Sequence, residues 1–531
     1  MKLFIVLLTG AFMLATGTSD VFAKKKEKVQ TEAKSDTVRT ASKKRNTQYP
    51  RLFKNKRVVT KKGLITIHKI DDKLYFEFPK SLLGREFLMG SSISATSDNT
   101  SGLVGQTMTT PLHIRFAIQE DQVYMQNVTP VSRMDVYSNQ SDISKAVAKS
   151  NITPDMESFK IAAYNMDSTA VVFEVTKFFL ADNKRLPLFD QNSSSLEDEK
   201  YGQLELKAVL KKNLSSIRNF YVFDDNLEIN LDMSFYQSLL ASKKEVRGGN
   251  VRVKAVYSML LLPEETMVWR LGDPRLGYTF TKKQKISTEK DGTAFSYLQH
   301  KWNLLPADEE AYRRGDLVAP RKPVVFYIDS DFPEAWKKAI KEGVNWWNEA
   351  FKMAGFKDAV QTADFPANDT TFYAGNLKYS CIRYVPVNLS KTQSKVWVDP
   401  RSGEIINGTI FVGHDIVKTI ANQRFIQTAQ ADKRMRGLQL SEEILLESIR
   451  LNVAREVGHC LGLADNASAS AAFSVESLRS AAFTEQNGIA SSVMDELPYN
   501  YIAQPQDDKV QFVQNKLGAY DLYAIQMGYM L

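Results

Sequence analysis

The chain has 531 residues, a formal net charge of +8, 43% hydrophobic and 11% aromatic residues, and two cysteines. So much apolar side chain supports two or three packed units, and Cys381 and Cys460 alone exclude a small disulfide-stapled domain. The charge is uneven: residues 24 to 62 hold fifteen Lys and Arg against three acids, a local +12, which leaves the body beyond them near −4. The basicity belongs to an arm, not to the folded protein.

In chain order, "MKLFIVLLTGAFMLATGTSDVFA" has a positive start, an apolar run and a small-residue cleavage site. It predicts a signal peptide over 1–23 and export to the periplasm, the cell envelope or the medium. No later run reaches the roughly 20 apolar residues of a bilayer span, so no transmembrane segment is expected after signal removal. Residues 24–50 read as a basic flexible linker that suits an anionic surface, with a solvated spacer as the plainer reading. Residues 51–95 read as a small β module: Ile65, Ile67, Leu74, Phe76 and Phe78 alternate about an Asp71-Asp72 turn, and His68 within it reads as structural.

Residues 96–312 carry repeated strand candidates, such as "LHIRFAIQ", "QVYMQNV" and "NVRVKAVYSMLLLP", which predict a β-rich domain. No nucleic-acid motif occurs, so no nucleic-acid partner is expected. At 313–531 the pattern changes. "KPVVFYIDSDFPEAWKKAIKEGVNWWNEAFKMAGF" predicts a buried strand and a long amphipathic helix capped by Gly355. "YSCIRYVPV" predicts a second strand, "KVWVDPRSGEIINGTIFVG" a hairpin, and about Ser441 to Leu463 a further long helix. Strand, helix, strand, hairpin, helix is an α/β layering.

That last helix ends in "REVGHCLGLADN". Zinc peptidases set two histidines four residues apart on one helix face, with a glutamate beside the first to activate the bound water. A glycine then turns the chain so that a third histidine returns, and a methionine turn closes the floor. Glu456, His459 and Gly462 match this pattern; Arg455 and Asp465 depart from it.

With "KGLITIHKIDDKLYFEFPKSLLGREF", "VDPRSGEII" and "SSVMD", the motif resembles an exported bacterial family of metzincin-like zinc metallopeptidases with an EcxA-type zinc-binding domain. The resemblance implies an α+β chain, with β-rich N-terminal domains followed by a metzincin-like α/β domain. It also implies zinc as cofactor, a polypeptide substrate or ligand, and hydrolase chemistry. His459 is similar to the second zinc ligand, Glu456 to the general base and Met494 to the Met-turn residue. Arg455 stands at the first ligand position and Asp465 at the third.

Aspartate can ligate zinc through oxygen, but a guanidinium offers donors only. Zinc binding is expected to be weak or absent, Glu456 vestigial as a base, and Arg455 and Asp465 paired in the vacated space. His414 is a weak candidate for an outside ligand. The expected function is a pseudopeptidase that binds polypeptide without cleaving it, using an edge strand at Ile410, Phe411 and Val412. The alternatives are an active zinc metalloendopeptidase with a non-standard ligand set, and a structural or carrier protein of the cell envelope.

Overall fold

Alternating apolar residues from Leu64 onward build most of the N-terminal half into one sheet. The computed structural model describes residues 48–531 except 100–103, 106, 129–134, 137–148, 151, 190–195, 199–201, 287–292, 370–371, 388–391 and 438. The expected signal peptide and the arm as far as Thr47 lie outside these residues. Among the described residues no helix is long and apolar enough to cross a membrane.

Among the described residues thirteen strands, from Val58–Lys62 to Lys244–Leu261, form the large sheet, which runs continuously across residue 96. The sheet curls. Leu64 N donates to Phe223 O at 2.7 Å and Lys69 Nζ to Ile217 O at 2.7 Å, so the first hairpin meets the strand Ser216–Val222. Inward-facing residues share one core, in which Phe78 and Phe116 lie 4.8 Å apart and Phe87 and Phe173 flank them. His68 is structural: its ring lies 2.8 Å from Thr60 Oγ1 and 2.9 Å from Glu77.

The C-terminal part holds a five-stranded sheet ordered Val360–Asp364, Val324–Ile328, Ser380–Val385, Glu404–Gly413, Thr392–Asp399. The first four strands are parallel and the last is antiparallel to its neighbour. The expected hairpin is present, but its arms are placed differently from the expectation. Ile410, Phe411 and Val412 are not an edge: Ile410 and Val412 pair with Ile382 and Tyr384 on one side and with Ser394 and Thr392 on the other. All three are buried. The edge is the first arm, Thr392–Asp399, because the second arm takes the place beside Ser380–Val385.

The long amphipathic helix is broken at Trp346 into Glu334–Asn345 and Trp347–Met353, and Gly355 caps it at φ +85°. Helix Glu334–Asn345 crosses the helix Glu442–Cys460, hereafter the site helix. The approach is so close that a Cβ on Gly343 would strike Arg450 O. Two further helices, Ile416–Thr428 and Ala519–Tyr529, complete the core. Cys381 and Cys460 are both free and buried, and burial pushes the Cys381 thiol up to about 12.

Candidate metal-site remnant on the site helix

The site helix starts where Ser441 Oγ accepts from Ile444 N, with Glu442 and Glu443 in the first turn at the positive end of the helix dipole. It ends because Gly462 takes φ +98°, a conformation that disfavours a side chain. A Cβ there would also strike His300 O. Beyond the turn, Ala464 N donates to Gly277 O at 2.8 Å and Asn466 N to Met494 O at 2.9 Å, so the chain doubles back along the helix.

This return brings residue 465 to the face of 455 and 459. Arg455 Nη2 donates to Asp465 Oδ1 at 2.6 Å, and His459 Nε2 lies 3.3 Å from the same oxygen. His459 Nδ1 faces Leu463 O at 3.0 Å, which favours a proton on Nδ1 and leaves Nε2 turned to Asp465. That is the orientation a metal-ligating imidazole needs. The three positions at which the pattern calls for histidines therefore converge, and a guanidinium fills one of them. Glu456 takes no part in the pair. It is 7% exposed, accepts from Thr392 Oγ1 at 3.2 Å, and lines a cavity of about 210 Å³ with Arg455, Val493 and Leu497.

Below the helix, Met494 is fully buried, and a Cβ on Gly458 would run into its Sδ and the Trp347 ring. Asp521, in the first turn of Ala519–Tyr529, holds the methionine turn: it accepts from Ser492 Oγ at 2.6 Å and from Val493 N and Gly518 N at 2.8 Å each. Burial pushes its carboxyl up to about 6, against the pull of those three donors.

His414 is occupied elsewhere, with Nδ1 2.6 Å from Tyr384 Oη and its ring stacked over Trp336. Sequence reasoning missed Thr392, which caps Glu456 from the edge strand, and Asp521. An acid three residues after Gly518 reads as a helix-start signal, and nothing in it points to the turn it supports.

Helix, glycine turn, returning acid and methionine floor together define a metzincin-like domain. Residues 437–531 match the family described as Met-zincin. Residues 47–96 and 105–307 match two families each described as a domain of unknown function. No curated protein and no solved structure matches the chain.

The Met-zincin resemblance implies zinc. The residues present do not fit it. The three converging groups supply one imidazole and one carboxylate, and the third is a donor-only cation already bonded to that carboxylate. Among the described residues no three His, Cys, Asp or Glu side chains are gathered to hold a metal ion.

Proposed function

We propose that the chain is an exported pseudopeptidase, which keeps a metzincin-like scaffold and binds polypeptide without hydrolysing it. The observation that carries this reading is the Arg455 to Asp465 pair at 2.6 Å among the three ligand positions. A cation there repels a metal ion, and without the metal Glu456 has no activated water to deprotonate. Zinc is therefore weakly bound or absent.

Peptide binding does not need the metal. Among the described residues no backbone group of Thr392–Asp399 bonds on its outer side, which suits strand addition by an extended chain. Such a chain would run past Thr392 to the cavity beside Arg455 and Glu456.

The test is the double change Arg455→His with Asp465→His, read by bound zinc and by hydrolysis of a mixed peptide pool. Zinc and cleavage gained together support the reading. Stoichiometric zinc in the wild type, retained in Arg455→Ala and accompanied by cleavage, would overturn it. Export is checked by the mature N-terminus, expected at Lys24.

A further inference from the structure

The five-stranded sheet turns one face to its own helices and the other to the large N-terminal sheet. At one end this second contact is tight. Trp397 is buried among Leu88, Leu260 and Leu262, and a Cβ on Gly90 would press on its ring. Further along, the two sheets separate around a cavity of about 300 Å³.

Two cations line this space. Lys395, on the edge strand, has Nζ 5.1 Å from the Trp397 ring, and Arg383, on Ser380–Val385, sits 5.9 Å from the Phe411 ring. Among the described residues neither side chain has a hydrogen bond or a close ion pair, although both feel the charge of Glu228. The acid across the cavity, Glu228, is 3% exposed and already engaged: its Oε1 accepts from Tyr373 Oη at 2.5 Å and from Asn230 Nδ2 at 2.8 Å. Burial raises the Glu228 carboxyl and pushes the Lys395 ammonium down to about 8 despite Glu228.

Two partly buried positive groups face a single acid, Glu228, and the positive charge left over carries a desolvation cost that the fold alone does not offset. An oxyanion in the cavity removes it through charge-assisted hydrogen bonds, with Arg383 offering the planar fork that carboxylate and phosphate match. Ser92, Ser258 and Thr409 add hydroxyls to the walls, and Trp397 and Phe411 add apolar faces. The volume is at the small end for ligand sites and suits a short acid, not a polymer.

We propose that the cavity between the two sheets is a binding site for a small oxyanion, a carboxylate or a phosphate, held by Arg383 and Lys395. It is separate from the site-helix remnant and does not depend on the pseudopeptidase reading.

The test is calorimetric titration of the full chain with citrate and, separately, with inorganic phosphate, at ionic strength matched with sodium chloride. Saturable binding of at least one is expected at millimolar concentration or below. Lys395→Met and Arg383→Gln should each weaken it at least tenfold, and Lys395→Arg should retain it. The better of the two probes identifies the acid class. Thermal unfolding of each variant guards against loss of fold, and Arg383→Gln with Lys395→Arg still decides the matter if Lys395→Met does not fold. No binding of either probe by the wild type, or binding unchanged in Arg383→Gln, would overturn the proposal.

Discussion

Asp465 Oδ1 serves two neighbours at once, Arg455 and His459, and this sharing separates the two departures from the zinc pattern. Aspartate is a competent oxygen ligand and arginine is not, so Arg455 should be the decisive change. Arg455→His alone, with two imidazoles and one carboxylate, is expected to bind about one zinc per chain by metal analysis, whereas Arg455→Ala should bind none. Zinc appearing in Arg455→Ala as well would mean that the cation alone, not the missing third ligand, is what excludes it. The pair itself should stabilise little. Its side chains are 30% and 50% exposed, and pairs so open to water contribute about 0–1 kcal/mol. Asp465→Asn should therefore shift the urea midpoint only slightly.

At the scale of elements, the site helix rests on the methionine turn with no room to spare. Gly458→Ala places a methyl against Met494 Sδ and Trp347, and overpacking of this kind costs roughly 1–3 kcal/mol. A lower melting temperature is expected for Gly458→Ala, and little change for the volume-conserving Met494→Leu. Asp521 gives the turn a pH dependence. Its carboxyl, ordinarily at 3.8, is raised to about 6 in the fold. The stabilisation it provides is thus fully present below about pH 4 and lost as pH rises through 6, by up to about 3 kcal/mol. Asp521→Asn mimics the protonated acid and should remove that component from the stability profile between pH 4 and 7; an unchanged profile would show that Asp521 is ionised throughout. The spacing of 455, 459, 462 and 465 was legible because a helix and one glycine turn fix it locally. Asp521 was not legible, because its partners Ser492 and Val493 lie nearly thirty residues away in sequence and only the closed fold brings them together.

Across the whole molecule, strand content was legible from alternation, but strand order was not. Ile410, Phe411 and Val412 have a clear strand pattern, yet nothing in it says that parallel pairing with Ser380–Val385 puts them inside the sheet and leaves Thr392–Asp399 at the edge. Nor does the sequence announce that the outer face of this sheet is covered. Trp397 crosses from the C-terminal sheet into the N-terminal one, and two polar contacts join the same halves: the buried Asn226 Nδ2 to Asn376 Oδ1 at 2.8 Å and the part-buried Tyr373 Oη to Glu228 at 2.5 Å. Such a junction should make the two halves unfold together. Truncating a fully buried aromatic costs about 3–5 kcal/mol, and at Trp397 that loss falls on the contact between the halves more than on either core. Trp397→Ala is therefore expected to split one calorimetric transition into two, with the second near the wild-type temperature. A single transition merely shifted downward would show that other contacts, the Asn226 and Glu228 bonds among them, suffice to couple the sheets.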